Sequence, residues 1–146
     1  MFSHILAGII LLMAMVFAIG AKKVKDGHSY QKVPKFLYPL SIFVWGDSLV
    51  IAPFYIFSSS VSLLFNDFHL FLLLIASFHL FRSIGETLYW FLVQFDHTGK
   101  RERPEDHLLF KLTRNSSVFF LHQVINQIQS TILFVIVVYL VKTWSV

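Results

Sequence analysis

The 146-residue chain contains no cysteine, which excludes disulfides, thiol nucleophiles and thiolate metal sites and leaves the redox compartment unread. Charge is scarce as well, since Asp, Glu, Lys and Arg together make up 14% of the residues, against about 25% in a soluble domain. No P-loop, dinucleotide-binding fingerprint, nucleophile elbow, HExxH helix, internal repeat or heptad array is present, so none of the chemistries tied to those motifs is indicated.

What remains is largely apolar. Hydrophobic residues make up 56% of the chain and aromatic residues 17%. The charged residues crowd into two short stretches and leave long runs nearly bare, which is the pattern of membrane spans and loops. The formal net charge is +4, but the basic residues flank apolar segments and do not interleave with aromatics along a groove. An anionic membrane surface is therefore the expected partner, and nucleic acid is not.

Four segments, 2–20, 36–65, 69–95 and 116–141, approach or exceed the roughly 20 apolar residues that a hydrocarbon core of about 30 Å requires. They predict an all-α, integral membrane four-helix bundle forming a single transmembrane domain. Ala18-Ile19-Gly20-Ala21 resembles a small-residue cleavage site, yet no basic region precedes the first apolar run, which reads as a retained span. In the second helix, Pro39 and Pro53 are expected to introduce kinks.

The links predict orientation. Residues 21–35 carry Lys22, Lys23, Lys25, Lys32 and Lys35, and residues 96–115 carry Lys100, Arg101, Arg103, Lys111 and Arg114. Four spans put both links on one face, so the positive-inside rule predicts that both are cytoplasmic and both termini are not. Within the second link, Pro104, Glu105 and Asp106 suit the first turn of a helix whose apolar side is Leu108, Leu109, Phe110 and Leu112, predicting a short cytoplasmic interfacial helix. Asn115-Ser116-Ser117 fits a glycosylation sequon only formally, because it falls at the cytoplasmic boundary.

Polar residues inside the apolar runs form the candidate site. His79, Arg82 and Glu86 share one face of the third helix, where Arg82 and Glu86 are placed to pair; His122 and Asn126 share a face of the fourth with Gln129; Asp47 lies in the second. Counting about 1.5 Å per residue from the predicted boundaries sets Asp47 roughly 16 Å from the inner face and level with His79, with Arg82 level with His122. A charge at the bilayer centre costs about 2.5–3.5 kcal/mol on insertion scales unless it finds partners. The six residues are accordingly expected to face one another inside the bundle, Asp47 with Arg82 in particular.

No cofactor is expected. A haem held between His79 and His122 is the arrangement their depths would allow, but no flanking glycine opens room for a porphyrin and Arg82 crowds the site. Asp96, His97, Asp106 and His107 have ligand chemistry without a known metal spacing, and read as a solvated loop. Two function classes follow. One is a non-catalytic accessory or interaction subunit of a membrane assembly, with a membrane-protein partner, whose buried polar groups are interhelical glue. The other is a self-contained intramembrane site that binds or modifies a lipid or conducts protons or ions through Asp47, His79, Arg82, Glu86, His122 and Asn126.

Overall fold

A computed structural model describes residues 2–95, 103–107 and 109–144. Every regular element among them is helical: α1 (Phe2–Lys25), a 3₁₀ turn at Lys35–Leu40, α2 (Trp45–Leu64), α3 (Phe68–Gln94), a 3₁₀ turn at Pro104–Asp106, α4 (Phe110–Thr113) and α5 (Ser117–Trp144). Four of these, α1, α2, α3 and α5, are long and apolar enough to cross a membrane. They run from 20 to 28 residues, or roughly 30–42 Å. The chain divides into two compact units, Met1–Ile75 and Ala76–Val146, with the division inside α3.

In the first unit, α1 lies closely against α2. The buried residues of α2 include Trp45, Ser48, Ala52, Tyr55, Ser59 and Ser62, alternately three and four apart, so they form one seam. The facing seam of α1 is Leu6, Met13, Val16 and Gly20. Small residues along such a seam permit the two helices to approach closely. Gly20 is the tightest point: a Cβ placed on it would overlap Ser48 Oγ. That hydroxyl donates to the Trp45 carbonyl at 2.6 Å.

Helix ends are settled by local hydrogen bonds. Gly27, at φ +83°, follows α1, where His28 N–H donates to the Lys23 carbonyl and Gly27 N–H to that of Val24. This is the Schellman pattern, and it needs a left-handed residue at that position. Asn66, at φ +52°, repeats it after α2 through Asn66 N–H to Leu63 and Asp67 N–H to Ser62. The next residue starts α3, because Asp67 Oδ1 accepts from the N–H groups of His69 and Leu70.

Three helix bounds agree with the predicted ones to within a few residues, except that α1 continues to Lys25 and places Lys22, Lys23 and Lys25 against the negative end of its dipole. The second helix differs more. Residues 36–65 do not form one span: Pro39 sits in the separate 3₁₀ turn, Ser41 is left-handed at φ +61°, and α2 begins only at Trp45. The link that follows α1 lies against the start of α2, where Trp45 N–H donates to the Gln31 carbonyl and Gly46 N–H to that of Ser29. Pro53 is accommodated within α2.

The second unit is organised around Val93 on α3 and Val118 and Phe119 on α5, with Trp90, Leu109 and Phe110 packed against them. The expected interfacial helix is realised as two short pieces, the 3₁₀ turn at Pro104–Asp106 and the single-turn α4, with Leu108 outside the described residues. Asn115 Oδ1 accepts from Ser117 N–H, so the residue of the formal sequon starts α5.

Candidate functional site

Five of the six candidate residues lie in the second unit, on α3 and α5. Arg82 and Glu86 pair along α3, with Nη2 to Oε1 at 3.7 Å and both side chains partly exposed. This i, i+4 contact is local to one helix.

The face that α3 turns to α5 is adjacent to the charged pair. Ser83, 2% exposed, donates from Oγ to the Asn126 carbonyl at 2.9 Å. Thr87 Oγ1 donates back to the Ser83 carbonyl, and Ser130 Oγ donates to the same Asn126 carbonyl. The Asn126 side chain runs along its own helix, with Nδ2 donating to the His122 carbonyl at 2.9 Å. One turn beyond Trp90, Gln94 Nε2 donates to Gln123 Oε1 at 2.6 Å and to the Trp90 carbonyl at 3.3 Å. Interhelical bonds of this kind contribute about 0.6–1.7 kcal/mol each in lipid.

Between these polar contacts is an aromatic cluster. Trp90 stacks on His122 with ring centroids 4.5 Å apart and planes at 17°. Phe119 lies parallel to Trp90 at 6.1 Å. His107, from the segment that follows the 3₁₀ turn, meets Trp90 at 5.2 Å, Phe119 at 5.6 Å and His122 at 5.1 Å, each nearly edge-on. Offset-stacked and edge-to-face pairs contribute about 0.5–1.5 kcal/mol beyond their burial. The cluster therefore fastens the 103–107 segment to α3 and α5.

Several expectations change here. His107 is half-buried against three rings and is not part of a solvated loop. Asp96 and His97 lie outside the described residues, as do Lys100, Arg101 and Glu102. His122 is level with Trp90 rather than Arg82. His79 is eleven residues from Trp90 along α3, an axial separation of roughly 16 Å. His79 and His122 both lie in the second unit, and the structure sets their rings at different levels along α3. The His79 ring contacts Phe78 at 5.6 Å. Among the described residues there is no group of three or more His, Cys, Asp or Glu that could hold a metal.

Asp47 belongs to the first unit and sits in the first turn of α2, not mid-span. Its Oδ2 accepts from Phe43 N–H at 2.9 Å and Val44 N–H at 3.2 Å. A carboxylate at a helix N-terminus satisfies donors that the helix leaves open and complements the dipole. Asp47 is at the helix end because α2 begins at Trp45 and not at residue 36.

Ser83, Thr87, Trp90, Gln94, Gln123 and Ser130 carry the α3–α5 seam and were not among the candidates. The signal was the seven-residue spacing of Ser83 and Trp90, which puts both on one helical face. His107 had no sequence signal, being outside any periodic segment. Comparison with known protein families, curated proteins and solved structures found no match to this chain.

Proposed function

We propose that this protein is a non-catalytic interaction subunit of a membrane assembly, inserted as a four-span bundle with both termini on the non-cytoplasmic side, and that α5 is the helix through which it joins its partner. The observation that carries this reading is Gln127. Its side chain is exposed on a flank of α5, about 100° round the helix from Asn126. Ten residues from Ser117, it lies roughly 15 Å along a helix of about 42 Å, well inside the span. A carboxamide facing hydrocarbon has no water to bond, so a helix that carries one is expected to place it against another protein helix.

The lysines and arginines of the two links support the orientation by the positive-inside rule. The buried polar groups support the interaction reading too, because the seam bonds of Ser83, Gln94, Gln123 and Asn126 join α3 to α5 or close on their own helix, as interhelical glue does. The test is purification in mild detergent. The chain is expected in an assembly larger than itself, and Gln127→Leu is expected to weaken that assembly. A lone chain carrying a bound lipid would reject this reading.

A second reading, an intramembrane polar site acting on lipid or conducting protons, draws on the Arg82–Glu86 pair lying one helical face from the Ser83–Asn126 bond. Proton flux in liposomes carrying a pH dye tests it. Flux abolished by Glu86→Gln and by His122→Phe favours it, and flux no greater than in empty vesicles rejects it.

A further inference from the structure

We infer that the 103–107 segment is a pH-sensitive latch: His107 holds it against α3 and α5 while the His107–His122 pair carries at most one proton, and a second proton releases it. The inference is independent of what α5 meets and of which side of the membrane the link occupies.

The latch is built within the second unit. The rings of His107 and His122 have centroids 5.1 Å apart and planes at 68°. Both touch Trp90, and His107 also touches Phe119. Trp90 and Phe119 belong in turn to the packed group of Val93, Val118, Leu109 and Phe110. The two imidazoles are half-buried, and the Nε2 atom of each is buried. The backbone of His107 bonds within the link, donating to the Pro104 carbonyl and accepting from Phe110 N–H. It is the ring that reaches the two long helices.

Proton count decides the state. Neutral imidazoles pack edge to face as other aromatic rings do. One imidazolium is accommodated, because His122 lies flat on the indole of Trp90 at 4.5 Å and 17°, where a cation is attracted. Two imidazolium ions at the 5.1 Å spacing of this pair repel, with little screening among apolar side chains. Separation into water relieves the repulsion, and His107, carried on a link rather than a long helix, is the ring that moves. The released form therefore binds one more proton than the docked form. Docking holds above the ordinary imidazole range, about pH 6.5, and weakens below it.

Other charges stand around the pair. Glu86, one turn before Trp90 on α3, is paired with Arg82 at 3.7 Å, and Tyr89 meets Trp90 edge-on. Arg103 and Glu105 of the link, Lys111 of α4 and Arg114 after it are exposed. Along α5 there is no Asp, Glu, Lys or Arg before Lys142. Asp96, His97 and the side chain of Asp106 lie outside the described residues.

The absence of native cysteine permits a direct test on the full chain in detergent micelles. Leu109→Cys places a thiol in the packed link, and Lys111→Cys places one at an exposed position nearby. Their ratio of labelling rates at each pH cancels the ionisation of the thiol and reports how often the link opens. Between pH 7.5 and pH 5.5 the ratio is expected to rise roughly tenfold, since an excluded proton changes it by up to tenfold per pH unit. His107→Phe and His122→Phe each keep a ring in the cluster and remove one titrating group, so either should hold the ratio low and flat. In the parent chain, the ring resonances of His107 and His122 should report proton uptake in two separate steps. A flat ratio in the parent, a single common step, a rise that persists in His122→Phe, or a rise that Glu86→Gln or Asp106→Asn abolishes overturns the latch.

Discussion

Gly20 of α1 and Ser48 of α2 are in such close contact that a single added methyl on Gly20 would occupy the position of the Ser48 hydroxyl. The Trp45 carbonyl stands just beyond, 3.4 Å from where that methyl would be. The crossing therefore has no slack. Gly20→Ala is expected to destabilise the α1–α2 pair by about 1–3 kcal/mol, the usual cost of overpacking. Ser48→Gly in the same chain should recover part of the loss by clearing the overlap. Unfolding in mixed micelles measures both, and a Gly20→Ala variant as stable as the parent would show that the helices do not meet there.

Asp47 is expected to behave as a helix cap. Asp47→Ala removes the acceptor for Phe43 and Val44 N–H, a change that costs about 0.5–2 kcal/mol at such positions. Asp47→Asn keeps an acceptor oxygen and should lose much less. The same unfolding assay compares the two, and equal losses would mean that the charge rather than the cap matters.

Ser58, Ser59 and Ser62 are fully buried, and their hydroxyls have no hydrogen-bond partner. An unsatisfied buried polar group costs about 1–3 kcal/mol. The small size of these residues is what the seam uses. Ser59→Ala and Ser62→Ala should then leave the helix pair as stable as before or more so, whereas Ser59→Leu should disrupt it. Destabilisation by both alanine variants would assign the hydroxyls a bonding role.

Trp90 and His122 stack with ring centroids 4.5 Å apart. A double-mutant cycle with Trp90→Leu and His122→Leu should return a coupling of about 0.5–1.5 kcal/mol. His122→Phe should retain most of it, because a phenyl ring can stack in the same place. A coupling near zero would show that the two rings do not hold α3 to α5.

The proposed orientation is open to labelling. Lys32 and Phe65 are both exposed, at opposite ends of α2. A cysteine at Lys32 should resist an impermeant reagent added outside, and one at Phe65 should react. The reverse pattern, or equal reaction, would overturn the placement of the termini.

Some of this molecule is determined by its sequence alone. The four apolar runs define the long helices because each satisfies its own backbone and needs no distant partner. The Asn66-Asp67 turn is also legible, since one residue takes the left-handed conformation and the next caps the following helix through local bonds. The Arg82–Glu86 contact is local as well and follows from one turn of spacing. Tertiary structure decided the rest. The start of α2 depends on carbonyls of Ser29 and Gln31, which only the folded link brings to Trp45 and Gly46. The α3–α5 seam runs through Ser83, Trp90 and Gln94 rather than His79 and Asp47, and His107 joins it from outside either helix. A helix that is apolar nearly all round has no amphipathic stripe to mark its buried face, so the choice of face falls to size and shape complementarity between helices, which a linear pattern does not encode.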